Sequence, residues 1–186
     1  MLQFSFMPSW NALHPLIIHF PIVLLLLTPL FIVISAALPP PRGRPYMIAA
    51  IFVLLLGNAS LFIAASTGNA AAELMQPGGG MNAVLEMHKQ LASETEIIFS
   101  ELSAILLGIF LLPRLLRRGE TRLFSTLLPL TFLVLYSVGI LFLVNTAHNG
   151  GRLVHEFGVH AMIPATVDHS SDTSAVEGNS ASEDRR

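Results

Sequence analysis

The residues with chemistry to offer are histidines. His14-Pro15-Leu16-Ile17-Ile18-His19-Phe20-Pro21 opens an apolar run that lasts to Leu38, and further imidazoles stand at His88, His148, His155, His160 and His169. An imidazole at a membrane surface costs free energy unless something binds or pairs it. Such rings serve as axial ligands to haem, as ligands to zinc, iron or copper, or as hydrogen-bond partners. Cysteine is absent, which excludes disulfides, thiolate zinc sites, iron–sulfur clusters and thioether-attached haem in this chain. Any metal or cofactor therefore draws on His, Met, Glu, Asp or the backbone.

The two prolines shape this motif. Pro15 suits a first helical turn, where its missing N–H is no loss, and this sets His14 at the helix entrance. Pro21 lies inside the helix and frees the carbonyl of Ile17, so a kink separates the histidine turn from the Leu-rich body. In an unkinked helix a spacing of five turns two side chains about 140° apart. His14 and His19 thus face different neighbours and do not chelate one ion together.

The elements that position these residues are membrane spans. The 186 residues are 53% hydrophobic and only 12% charged, with a mean hydropathy of +0.66, too apolar for a soluble domain of this size. A net charge of −2 and the lack of a basic patch with interleaved aromatics set nucleic-acid binding aside. Residues 1–13 hold no Lys or Arg, and the first apolar run is too long for a cleaved signal peptide, so it counts as a span. Four spans follow, at about 15–38, 46–68, 90–113 and 123–146. The expected fold is all-α, a transmembrane four-helix up-down bundle over residues 1–160 with a short interfacial segment after the fourth span. Residues 161–186, rich in Ser, Asp and Glu without an apolar pattern, read as a disordered tail.

Arg42 and Arg44 lie between spans one and two, and Arg114, Arg117, Arg118 and Arg122 between spans three and four, against Lys89 and Arg152 on the opposite side. The positive-inside bias puts the arginine loops in the cytoplasm and both termini outside. His14, His19, His88, His148, His155 and His160 then fall in one layer at the outer face of a bacterial inner membrane.

Span two carries Ser60, Ala64, Gly68 and Ala72 every four residues, a ridge that lets a neighbouring backbone approach closely. Its helix runs on through the alanines to Glu73, in the histidine layer, before Pro77 and Gly78-Gly79-Gly80 break it. Asn58, near mid-span, is expected to hydrogen-bond across the bundle or to face a polar interior. Span three carries Glu94 and Glu101 on one face. Counted from Arg114 at about 1.5 Å per residue, Glu101 lies about 20 Å into the apolar layer, as an interhelical hydrogen-bonding group or part of a proton path. After span four, Gly150-Gly151 is expected to end the helix, and the residues from Arg152 to His160 to lie along the membrane surface. Met7, Met75, Met81 and Met87 read as interfacial packing.

His14-Pro15…His19-Phe20-Pro21, Thr67-Gly68…Glu73, His88, and Gly150-Gly151-Arg152-Leu153-Val154-His155…Gly158-Val159, in that order and topology, resemble the bacterial membrane family catalogued as domain of unknown function 2231. The resemblance covers roughly residues 10–160. Similar domains occur joined to Rieske-type iron–sulfur or cytochrome c domains. That implies a respiratory setting, and the redox partner here would be a separate subunit.

Three functions fit these residues. In the first, the chain is an electron-transfer subunit binding haem b near the outer face, with membrane lipid around it and quinol and a cytochrome c or Rieske-type subunit as partners. Spans one and three are diagonal in an up-down bundle, so His19 and His88 are the expected axial ligands. His14 and His155 form a second pair or propionate partners, and Arg152 is a further propionate partner. In the second, the protein binds or transports a divalent metal, a Zn, Fe or Cu ion held by His14, His19, His88, His155 and Glu73. In the third, it is a structural subunit of a membrane complex. No nucleophile arrangement and no phosphate loop stands out, so an electron-transfer or non-catalytic subunit is expected rather than a self-standing enzyme.

Overall fold

A computed structural model of the chain describes residues 9–75, 78–115 and 123–159. After a 3-10 turn at Trp10–Ala12 come α1 (His14–Ile17), α2 (His19–Ala37), α3 (Pro40–Glu73) and α4 (Gly80–Leu115). A π-type turn at Leu123–Leu127 then leads into α5 (Leu128–His155). No strand occurs among the described residues. Four helices are long and apolar enough to cross a membrane, His14–Ala37, Pro40–Glu73, Gly80–Leu115 and Phe124–His155. The tail from 161, together with His160, Pro77, Arg117, Arg118 and Arg122, lies outside the described residues.

Prolines punctuate the first span. Pro15 sits in the first turn of α1. Because Pro21 offers no N–H to the Ile17 carbonyl, the helix is interrupted at Ile18, and the Ile22 N–H reaches the Ile18 carbonyl only at 3.5 Å. Pro29, deeper in α2, likewise leaves the Leu25 carbonyl without its helical donor. That acceptor is not wasted: the buried Tyr136 hydroxyl of α5 donates to it at 2.8 Å. A buried carbonyl must find a donor, and here it finds one on another helix.

The chain forms two antiparallel hairpins, α2 against α3 and α4 against α5. Contacts of α3 with α4 and of α2 with α5 close the ring, which leaves α2 and α4 diagonal. The core holds Leu25, Ile32, Leu54, Phe99, Leu106 and Tyr136, with Phe99 and Phe132 both packed on the Tyr136 ring at 5.4 and 5.7 Å between centroids. Outward-facing Leu16, Phe20, Phe52, Val134 and Leu141 are more than half exposed. A helix apolar on both faces suits a bilayer, where the core is not distinguished from its surroundings by hydrophobicity and small residues let the helices close up.

The two hairpins repeat one another. In α1/α2 the positions His14, Pro21, Leu25, Thr28 and Ile32 have the same spacing as His88, Thr95, Phe99, Leu102 and Leu106 in α4. In the return helices Ala50, Leu54, Gly57, Leu61, Ala64 and Gly68 of α3 match Phe132, Tyr136, Gly139, Leu143, Thr146 and Gly150 of α5, again at one constant offset. The contacts match too. A Cβ on Gly57 would meet Leu25 at 2.8 Å and one on Gly139 would meet Leu102 at 2.9 Å and Phe99 at 3.2 Å. Both hairpins start at the same end of the bundle, so they are related by an approximate two-fold along it, a parallel repeat.

Gly150-Gly151 does not end the fourth helix, contrary to the expectation from sequence. α5 continues to His155, and the stop is Gly158, at φ +66°, whose N–H bonds the Val154 carbonyl at 3.2 Å. Two helical glycines cost roughly 1 kcal/mol each relative to alanine. Packing offsets that cost: Leu153 is buried against Val84 and Leu85 of α4, with Val159 closing over them. The residues expected to lie along the membrane surface are therefore, up to His155, the last turn of a helix.

Candidate functional site

The repeat delivers one histidine from each hairpin, and the two are seated alike. His14 packs on α3, with its Nδ1 2.9 Å from the Ala64 carbonyl oxygen and 3.2 Å from Thr67 Oγ1. His88 packs on α5, with its Nδ1 2.9 Å from the Thr146 carbonyl oxygen. A carbonyl can only accept, so in each ring Nδ1–H is the donor, and in the neutral imidazole Nε2 keeps its lone pair.

Glycines make these seats. The ring of His14 lies against Gly68, where a Cβ would come within 2.8 Å of Cε1, and His88 lies against Gly150, where the same atom would stand at 3.1 Å. In each case the glycine follows the accepting carbonyl by one helical turn, so the imidazole closes onto bare backbone. Hydroxyls tighten the surroundings. Thr67 Oγ1 donates to the backbone carbonyl of Ala64 at 2.9 Å, and Thr95 and Thr146 join α4 to α5 through their hydroxyls at 2.9 Å.

The remaining sequence candidates stand elsewhere. His19 is exposed, because it lies off the buried stripe that runs through His14, Leu25, Thr28 and Ile32. The structure thus sets His14 and His88, rather than His19 and His88, in matching seats on diagonal elements. His148, His155 and Glu73 are exposed. Arg152 is engaged by Glu156, with Nε and Nη2 both at 2.9 Å from its carboxylate oxygens. Those bonds hold the Glu156 carboxyl below its ordinary range. Among the described residues, no three of His, Asp and Glu gather as a metal cage.

Below this layer, Asn58 and Ser100 pair between α3 and α4 at 3.3 Å, the cross-bundle bond expected of Asn58. Glu94 accepts from Gln90 of its own helix at 2.9 Å, and Glu101 is exposed. The Glu96 Oε1 is buried with no hydrogen-bond partner among the described residues.

The family model described as "Predicted membrane protein (DUF2231)" matches residues 11–162. The chain belongs to this family. No curated protein and no solved structure matches it. The matched region takes in both hairpins, both seated histidines and the Gly158 stop, so the repeat lies wholly within this DUF2231 domain.

Sequence reasoning missed Gly68 and Gly150 as ring seats, the choice of His14 over His19, and the bond between Tyr136 and Leu25. A signal was present for the second: the positions seven, eleven, fourteen and eighteen residues after His14 and after His88 are buried in both halves, a register that His19 does not share.

Proposed function

We propose that this DUF2231 protein is a membrane electron-transfer subunit that binds haem b between His14 and His88. The observation that carries the reading is the doubled seat: two imidazoles on diagonal elements, each with Nδ1–H committed to a backbone carbonyl and Nε2 left as the ligand. A ligating histidine characteristically spends its other nitrogen in this way, which sets the tautomer and raises the basicity of the ligand. Two protein ligands suit haem, whose ring brings four nitrogens of its own, better than a metal ion that needs a cage of three or four side chains. Bound there, haem supplies a one-electron couple.

The chain's own residues then have plain roles. Ala64 and Thr146 orient the rings through their carbonyls, Gly68 and Gly150 let them close onto the backbone, and the apolar core below excludes water. With the arginine-bearing end in the cytoplasm, the site faces the outside of a bacterial inner membrane. Quinol and a separate cytochrome c or Rieske-type subunit are the partners that suit this position.

An absorption spectrum of the detergent-solubilised protein, made with ample haem and recorded before and after dithionite, tests the proposal. Wild type and His19→Ala are expected to show a Soret band with α and β bands on reduction, and His14→Ala and His88→Ala to lose them while keeping their helical circular dichroism. A flat visible spectrum from the wild type sinks the haem reading, and elemental analysis of the same sample then decides for or against a metal ion.

A further inference from the structure

A carboxyl group stands on the outside of the bundle at the depth of the hydrocarbon. Glu101 of α4 is exposed, although Phe99 and Leu102, at the same level of the same helix, are buried in the core. No hydrogen bond or ion pair engages its side chain among the described residues. Acidic residues within membrane spans turn to the bundle interior or pair with another group. Within one chain Glu101 does neither.

A second departure lies two turns along the same face. Gly108 is exposed, and a Cβ there would meet nothing within 4 Å, whereas one on Gly57, Gly68, Gly139 or Gly150 would meet a neighbouring side chain at 3.1 Å or less. Gly108 thus gives up helix propensity for no contact inside the chain. Ala104, between the two, is exposed as well. The outward positions of the other spans carry large apolar side chains such as Phe20, Phe52 and Val134.

We propose that this face of α4 is the docking surface for a second copy of the chain, packed α4 against α4 and joined through the two Glu101 carboxyls. Copies in one membrane share an orientation, so a two-fold axis along the bundle sets each residue of the face opposite itself. A second copy therefore brings a carboxyl to the depth of Glu101 by symmetry alone. Two carboxyls that share protons are donor and acceptor to one another, which makes the pair self-complementary in an apolar layer. Ala104 and Gly108, four residues apart, let the two backbones approach closely. The inference stands apart from the haem reading, because it uses neither histidine and is read without the visible spectrum.

Förster transfer between donor- and acceptor-labelled copies of the full chain in dioleoyl-phosphatidylcholine vesicles, at increasing lipid dilution, tests it. Wild type is expected to associate specifically. Glu101→Leu and Gly108→Leu should each weaken association about ten-fold, while Glu101→Gln, whose amides also pair, should weaken it by less than about two-fold. Val134→Leu, on the lipid face of α5, should leave it unchanged. A wild type that stays monomeric overturns the proposal, and gain of transfer to a polyleucine helix with a central lysine would then assign the face to a partner of opposite charge. Association that survives in Glu101→Leu, or that Val134→Leu loses equally, also overturns it. The chain has no cysteine, so oxidative cross-linking gives a second measurement should a leucine variant fail to fold. Gly108→Cys is expected to form a disulfide-linked dimer and Val134→Cys is not, and equal yields from the two overturn the proposal.

Discussion

The two hairpins carry the same contacts on different residues. Where the second hairpin has Thr95 and Ser103, the first has Pro21 and Pro29. Thr95 and Ser103 bond the carbonyls one turn back, Leu91 at 2.6 Å and Phe99 at 2.7 Å, and leave α4 continuous. The prolines release the corresponding carbonyls of Ile17 and Leu25, and the first span is interrupted at Ile18. One of the released carbonyls is what the Tyr136 hydroxyl takes, so an irregularity in the first hairpin becomes a bond to the second. Repetition sets the frame of this bundle, and the departures from it tie the halves together.

The largest effect is expected where the repeat is tightest. Gly139→Val should destabilise the bundle by about 3 kcal/mol, at the upper end of overpacking costs, because even a Cβ there meets Leu102 at 2.9 Å and Phe99 at 3.2 Å. Gly57→Val should do the same, and a large difference between the two in reversible detergent unfolding would break the equivalence of the hairpins.

Tyr136→Phe should cost about 2 kcal/mol, since it strands a buried carbonyl. Pro29→Ala restores a helical donor to that carbonyl, so the double variant should lose less than the sum of the two single losses. Strict additivity would show that the hydroxyl and the proline do not share the Leu25 carbonyl.

The ring seats should differ in a smaller way. Gly68→Ala is expected to cost about 1 kcal/mol after the gain in helix propensity, and Gly150→Ala to be nearly neutral, because the added carbon meets His14 at 2.8 Å but His88 only at 3.1 Å. Equal costs would mean that the two seats are interchangeable.

The smallest effect belongs to the exposed Arg152–Glu156 pair. Glu156→Gln should leave the Tm near neutral pH almost unchanged. Because arginine depresses the Glu156 carboxyl below its ordinary 4.5, whatever the pair contributes is complete above that pH and fades as pH falls further. A loss of stability near pH 7 that vanishes in Glu156→Gln would contradict this.

Much of this molecule could be read in advance. The four spans, the crowding of histidines at one end and the Asn58 bond across the bundle follow from local hydropathy and from the cost of polar groups in an apolar layer. The glycine pair at 150 and 151 was misread for a physical reason. Propensity says that two glycines end a helix, but burial of Leu153 and the seating of His88 reward its continuation, and tertiary packing outweighs about a kcal/mol per residue.

By itself, then, the sequence determined the number of spans and the end of the bundle where imidazoles collect. Each of these depends on which residues can dwell in hydrocarbon, a property of short stretches of chain. Which histidine turns inward depends on how each helix is rotated about its axis. That rotation was decided by the buried stripes and by Gly57, Gly68, Gly139 and Gly150, where neighbouring side chains close onto bare backbone. Packing between segments far apart in the chain chose His14 over His19 and joined Tyr136 to the carbonyl that Pro29 releases, because only the assembled bundle brings those groups within hydrogen-bonding distance.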